Sequence, residues 1–228
     1  MKTEILPDAD AVARRAAALI AATARDATAA RQRCVIAVSG GHTPWQMLRA
    51  LANEDVPWSR LHVVQVDERI APAGDPDRNL THLRESLLSH APLSPEQIHP
   101  MPVENPDLAA AVARYSQVLH ELAADPPVLD LAHLGLGPDG HTASLVPGDP
   151  VLNVTDADVA LTGGIYQGRR RMTLTYPTLD RARQILWVVT GAEKVDALRK
   201  LLAADPSIPA GRVNQERAIL LADRAAAA

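Results

Sequence analysis

Cys34-Val-Ile-Ala-Val-Ser-Gly-Gly-His-Thr-Pro-Trp-Gln-Met-Leu-Arg-Ala-Leu51 passes from five apolar residues, through two glycines, into a helical pattern. A short run without polar interruption is the signature of a strand buried on both faces. Thr43 is placed to cap a helix, Pro44 suits its first turn, and Trp45, Leu48 and Leu51 form its apolar stripe. Between them, Gly40 and Gly41 let the backbone turn tightly and approach a ligand closely. A glycine turn that opens a helix offers free N–H donors at the positive end of the helix dipole, which suits a phosphate. A plain strand-to-helix turn also favours Gly and Thr, so the segment alone leaves both readings open. It is neither a Walker A loop nor a G-x-G-x-x-G fingerprint, and no nucleotide is implied.

The same alternation continues outward. Leu61–Val66, Leu129–Leu134 and Ile185–Val189 read as further buried strands. Asp8–Ala30 is an Ala-rich helix. A second helix starts at Asn105-Pro106, with Asn105 as cap and Leu108, Val112, Tyr115, Leu119 and Leu122 on one stripe. A third carries Val195, Leu198, Leu201 and Leu202 and ends at Asp205-Pro206. Strands alternating with helices predict an α/β fold, a single domain over 1–228 with a mainly parallel, Rossmann-like sheet covered by helices on both faces. The Pro-rich pieces at 72–76, 92–106 and 125–127 read as loops inside that pattern.

Composition narrows the partners. With no Phe, the core must be filled mainly by aliphatic side chains. A net charge of −4 without a Lys/Arg run recruits neither nucleic acid nor an anionic membrane. One cysteine, Cys34, permits no internal disulfide and fits a reducing compartment; inside an apolar run it reads as a small buried hydrophobe. No stretch approaches the roughly 20 apolar residues that span a bilayer. Glu4 and Asp8 interrupt any export signal, so a cytoplasmic location is expected. The sequence is silent on oligomeric state.

Each predicted strand runs directly into polar residues: Ser39–Pro44, Asp67-Glu-Arg69, Gly135–His141 and Thr190–Lys194. In a parallel sheet all four emerge at the carboxyl edge, where open α/β folds bind ligands. Arg69 could grip a phosphate bidentately, and Asp67 and Glu68 could bind sugar hydroxyls or orient a base; a self-neutralising loop cluster is the alternative. Asn79 follows closely and is expected to project toward the same cleft. Of the three lysines in the chain, Lys194 falls at the start of a helix, where a cation opposes the dipole unless an anion is near. Glu193 could offset that cost, and a solvated lysine remains the other reading.

Leu134-Gly-Leu-Gly-Pro-Asp-Gly-His-Thr-Ala-Ser144 carries the strongest signal. Gly135, Gly137, Pro138 and Gly140 place His141 in a tight turn rather than on a helix face. Histidine titrates near neutrality and suits a general base for water, and Asp139, two residues earlier, could fix its tautomer. His62, His82, His90, His99, His120 and His133 lack such settings and read as surface or packing residues, with no zinc-site spacing. No Gly-x-Ser-x-Gly elbow supports a serine hydrolase.

The segments Val38–Pro44, Val66–Arg69 with Asp75-Pro-Asp-Arg-Asn79, Leu134–Gly148, Arg171–Thr175 and Gly191–Lys194 closely resemble, in order, the 6-phosphogluconolactonase family. The resemblance implies an enzyme, a carboxylic ester hydrolase that opens 6-phospho-D-glucono-1,5-lactone to 6-phosphogluconate in the oxidative pentose phosphate pathway. It implies no metal and no organic cofactor. By resemblance His141 is the general base and Asp139 its support, while Arg69, Lys194 and the loop Ser39, Gly40, Gly41, His42 and Thr43 surround the phosphate. Asp67, Glu68, Asn79, Gly137 and Arg171 are expected to complete the substrate site. The chain departs from the family at His42, where relatives often have Ser, and in Val213–Ala228, which lacks a Trp-containing segment common in relatives. Two alternatives are a glucosamine-6-phosphate deaminase-like isomerase and a non-catalytic sugar-phosphate-binding protein. Against the first, Thr142-Ala-Ser-Leu-Val-Pro147 follows the histidine, with no carboxylate before Asp149. Against the second, no DNA-binding segment is attached.

Overall fold

Side-chain alternation along apolar strands sets the architecture, because neighbouring residues point to opposite faces of a sheet. The computed structural model describes residues 1–228, with ten strands: β1 (Lys2–Leu6), β2 (Cys34–Val38), β3 (Leu61–Gln65), β4 (Asp67–Arg69), β5 (Ile98–His99), β6 (Leu131–Leu134), β7 (Val159–Leu161), β8 (Arg171–Leu174), β9 (Ile185–Val189) and β10 (Ala218–Asp223). Seven of them form one sheet in the order β1-β10-β9-β6-β2-β3-β5, with every neighbouring pair parallel. The other three form a small antiparallel sheet, β4-β8-β7.

Helices cover both faces of the large sheet, as the alternation requires. On one face Cys34, Ile36, Val38, Leu61, Val63, Leu186 and Val188 meet α1 (Ala9–Arg31), α2 (His42–Leu51) and α3 (Asn79–Leu83). On the other, Val35, Ala37, Ala132, Leu134, Trp187 and Val189 meet α4 (Leu108–Ala123), α5 (Tyr176–Arg181), α6 (Val195–Leu202) and the small sheet. Both cores are mainly aliphatic, and Cys34 is fully enclosed in the first. Met47, Leu48 and Leu51 dock α2; each such side chain contributes roughly 1.5–3 kcal/mol by leaving water. Their burial holds the Gly40-Gly41 turn against the sheet edge. No helix is long and apolar enough to cross a membrane.

Several boundaries differ from expectation for visible reasons. The third strand ends at Gln65, and Val66 becomes the hinge between sheets: its N–H reaches Val38 O at 3.0 Å and its carbonyl accepts from Leu174 N–H at 2.8 Å. The strand expected from Leu129 begins at Leu131, since the Asp130 side chain accepts the Val35 N–H at 2.8 Å. Asp107, not Asn105, caps α4, accepting from Ala110 N–H at 3.0 Å, while Asn105 accepts from Asp107 N–H in the preceding turn. Gly41, not Thr43, is the cap of α2, and no side chain satisfies that helix start. The small sheet, β1, β5 and β10 lie outside the expected strands, and β5 falls in the piece at 92–106 expected as a loop, where Ile98 and His99 pair with Val63 and Val64.

Candidate active site

The turn after β6 is built around glycine. Gly137 N–H donates to His141 O at 2.8 Å, and Gly140 N–H to Gly137 O at 2.9 Å, with Gly140 at φ +82°. A Cβ on Gly137 would lie 2.0 Å from His141 Nδ1 and 2.6 Å from Asp139 Oδ1, so the ring and carboxylate occupy the space that the absent side chain leaves. Inside this turn His141 Nδ1 lies 2.6 Å from Asp139 Oδ1, and Asp139 Oδ1 also accepts the His141 N–H at 3.2 Å. Tyr166 Oη donates to the second carboxylate oxygen at 2.8 Å and stands 3.2 Å from His141 Nδ1. Burial pulls the Asp139 carboxyl upward, but the hydrogen bonds and charge from His141 and the Tyr166 hydroxyl outweigh it and hold the group below the usual carboxylate range. An ionised Asp139 can only accept, so Nδ1 carries the proton and Nε2 keeps its lone pair.

Where β2 ends, Ser39 N–H donates to Nδ1 of the buried His133 at 3.2 Å. Burial pushes His133 down to about 3, so it is a neutral acceptor under the loop. Gly40 rests on Asn79: a Cβ there would meet Asn79 Oδ1 at 2.0 Å. Gly41, at φ +122°, then presents the first turn of α2, whose early N–H groups have no partner within the helix. The Thr43 and Thr190 hydroxyls meet at 2.5 Å and tie this turn to the end of β9. Next to it Gly191, at φ +99°, donates its N–H to the Asp223 carboxylate at 3.1 and 3.2 Å. Lys194 Nζ approaches only Glu193, at 3.7 Å.

The small sheet brings in the remaining charges. Arg69 and Arg171 sit directly opposite each other in the β4–β8 ladder. Like charges at such a position repel and destabilise unless an anion lies between or beside them. Both guanidinium groups leave a buried Nε without a hydrogen-bond partner. Burial, with Arg69 beside it, lowers Arg171 from its ordinary value. Asp67 offsets part of this charge, with Oδ2 3.9 Å from Arg171 and accepting from the Ser144 hydroxyl at 2.7 Å. Asn79 Nδ2 donates to Asp67 O and Oδ1 at 3.0 and 3.2 Å. These groups, the α2 turn, Lys194 and His141 line a single cleft of about 550 Å³.

Comparison with known proteins agrees with this geometry. The family described as glucosamine-6-phosphate isomerases/6-phosphogluconolactonase matches residues 7–221. The chain belongs to that family. A 6-phosphogluconolactonase of Mycobacterium tuberculosis is 38% identical over 238 residues, covering 99% of this chain and 96% of the relative. One from Synechocystis is 39% identical over 197 residues, covering 83% and 81%. The crystal structure of 6-phosphogluconolactonase from Thermotoga maritima superposes with a TM-score of 0.87 at 26% identity, covering 97% and 98%.

The sequence-derived residues sort by their position relative to the cleft. Ser39, Gly40, Gly41, His42, Thr43, Asp67, Arg69, Asn79, Gly137, His141, Arg171 and Lys194 all line the cleft. Asp139 stands behind His141 instead of on the wall. Glu68 is a correction: it is 0% exposed and lies outside the cleft. Its oxygens accept the N–H groups of Asn79 and Leu80 at 2.7 and 2.9 Å and pair with buried Arg78, so it builds the site from beneath. The first two N–H groups of α3 need acceptors, and the buried carboxylate supplies both from outside the cleft. Tyr166, Gln167 and Asp223 escape the sequence reading, while His133, read there as a surface or packing residue, is fully buried beneath Ser39. Only the Gln167-Gly168 pair, a tight-turn signal between Tyr166 and Arg169, could have pointed to the first two. No three His, Cys, Asp or Glu side chains are grouped to hold a metal ion.

Proposed function

We propose that this chain hydrolyses 6-phospho-D-glucono-1,5-lactone to 6-phosphogluconate, with His141 as the base for the attacking water. The observation that carries the reading is that the Asp139–His141 pair opens into the same cleft as the opposed Arg69 and Arg171 and the Lys194 ammonium. A cluster of under-neutralised cations beside a poised imidazole suits a substrate with a phosphate at one end and a hydrolysable carbonyl at the other.

In this scheme Nε2 of His141 takes a proton from water as the water oxygen bonds to the lactone carbonyl carbon. The tetrahedral adduct collapses, the bond from carbon to ring oxygen breaks, and the imidazolium returns its proton to that oxygen. Asp139, held ionised, stabilises the imidazolium between the two transfers. A positioned base of this kind contributes about 10²–10⁴-fold. The phosphate handle adds orientation.

The lactonase reading is favoured over the deaminase by one carboxylate. Asp149, the first acid after His141, accepts the N–H groups of Gly163 and Gly164, each at 2.9 Å, and lies outside the cleft. It is committed to holding a loop and is not free to open a sugar ring. The test is to mix fresh phosphorylated lactone with the protein and follow acid release, with δ-gluconolactone as the phosphate-free control and ammonia release from glucosamine 6-phosphate as the rival assay. The proposal requires rapid turnover of the phosphorylated lactone and a large preference for it. Equal rates on the two lactones, or ammonia release, would refute it.

A further inference from the structure

We propose that Tyr166 is a positioning residue for the His141 base, acting through Asp139. The inference rests on His141 being that base.

Tyr166 stands at one end of a tight hairpin between β7 and β8. Tyr166 and Arg169 exchange backbone hydrogen bonds at 3.0 and 3.2 Å, and the two residues between them, Gln167 and Gly168, have φ +50° and +80°. Two consecutive left-handed residues are what the two-residue hairpin turn matched to strand twist demands. The tip is anchored from outside: Arg169 Nε donates to Asp77 Oδ2 at 3.1 Å and Arg169 Nη2 to Asp75 Oδ2 at 3.0 Å. The ring direction of Tyr166 is therefore set by backbone geometry and an anchor remote from the base.

The ring lies between the two halves of the site. Its hydroxyl donates to Asp139 Oδ2 at 2.8 Å, its edge meets the His141 ring at a centroid distance of 5.2 Å, and the Arg171 guanidinium lies over its face at 5.0 Å. Gln167 bonds Arg171 Nη2 at 3.1 Å from the same turn. A carboxylate held only through Oδ1 can rotate about its Cβ–Cγ bond and exchange the His141 contact for water. With Oδ2 held by the phenol, Oδ1 stays on Nδ1, and the imidazole keeps the tautomer that leaves Nε2 free. The phenol also draws charge from the carboxylate and so limits how strongly Asp139 favours the protonated imidazole. Burial and the neighbouring Asp139 push the Tyr166 hydroxyl up to about 12, so it stays protonated and keeps donating to the carboxylate.

The test is Tyr166→Phe in the full chain, which keeps the ring and removes only the hydroxyl. Turnover of the phosphorylated lactone should fall about 3–10-fold in kcat, a fraction of what a positioned base supplies, with KM within about twofold. The acid limb of the kcat/KM profile should move to higher pH, because the Asp139 carboxylate would face His141 with its charge no longer shared with the phenol. A structural role would not move that limb. In an Asp139→Asn background the same change should cost little more, since the two residues act as one unit. An unmoved acid limb, or equal losses in both backgrounds, would overturn the inference. Failure of the underlying reading is distinguishable: His141→Ala would then retain turnover, whatever Tyr166→Phe does.

Discussion

Glu68 and Arg78 form an ion pair closed off from water, with Arg78 Nε 3.1 Å from Glu68 Oε2 and side chains 1% and 0% exposed. The same carboxylate accepts the first two N–H groups of α3, so one buried charge seats both Arg78 and Asn79, the residue on which Gly40 rests. Removing one partner of a buried pair strands the other. Glu68→Ala should therefore destabilise the fold by about 3–5 kcal/mol in urea titration, while Glu104→Ala, which removes a half-exposed partner of Arg78, should cost below about 1 kcal/mol.

Replacing His141 separates binding from chemistry. His141→Ala should reduce kcat by about 10²–10⁴-fold, and equilibrium dialysis should still find 6-phosphogluconate bound, because the cations are untouched. Asp139→Asn should lower kcat as well, by less than His141→Ala does, because the base remains and only its support is lost.

Gly137→Ala should fold and fail. The added methyl would collide with His141 Nδ1 and Asp139 Oδ1, and the ring, being a movable side chain, would yield. A kcat drop of at least about tenfold with a nearly unchanged melting temperature is expected; a fully active Gly137→Ala would contradict the turn geometry.

Arg69 and Arg171 repel across the β4–β8 ladder. Arg69→Gln should leave the melting temperature of the ligand-free protein unchanged or raise it, while raising KM for the phosphorylated lactone about tenfold or more, which is about 1.4 kcal/mol of binding. Inorganic phosphate should stabilise the wild type in a thermal scan and stabilise the variant less.

Acid stability follows from three carboxylates held below their ordinary values against the opposing effect of burial: Asp139 by His141 and Tyr166, Asp149 by backbone N–H groups with Arg170, Asp158 by His120, Thr178 and Arg181. A lowered native value means the folded form binds fewer protons than the unfolded one, so the contribution is complete above the usual carboxyl value of about 4. It is lost as the pH falls through the lowered values. Asp149→Asn should flatten the fall in unfolding free energy in that acid range, measured by urea titration at each pH.

The four central strands were legible because burial on both faces forces an unbroken apolar run, as in Cys34–Val38 and Ile185–Val189. Their polar sequels were legible because a parallel sheet delivers all strand ends to one edge. β1 escaped because Lys2-Thr-Glu-Ile-Leu6 lies at the sheet edge with most of its side chains in water. The small sheet escaped because β4 is itself the charged Asp67-Glu-Arg69, which reads as a loop. In that triplet, composition does not distinguish the two residues that face the cleft from the one that faces Arg78; alternation along a strand does. Tyr166 was hidden by distance along the chain, since its partnership with Asp139 spans 27 residues and depends on a hairpin.

β10 lies between β1 and β9, so β1 has no partner in the sheet except a strand far from it along the sequence. Asp223, at the end of that late strand, is also what holds the Gly191 N–H at the cleft. The Gly135–His141 turn and the Ser39–Thr43 loop therefore share a cleft whose wall depends on this pairing between sequence-distant strands. Long-range pairing of this kind is slow to form. Removing β10 would leave β1 and β9 without the strand that joins them and the Gly191 N–H without the Asp223 carboxylate.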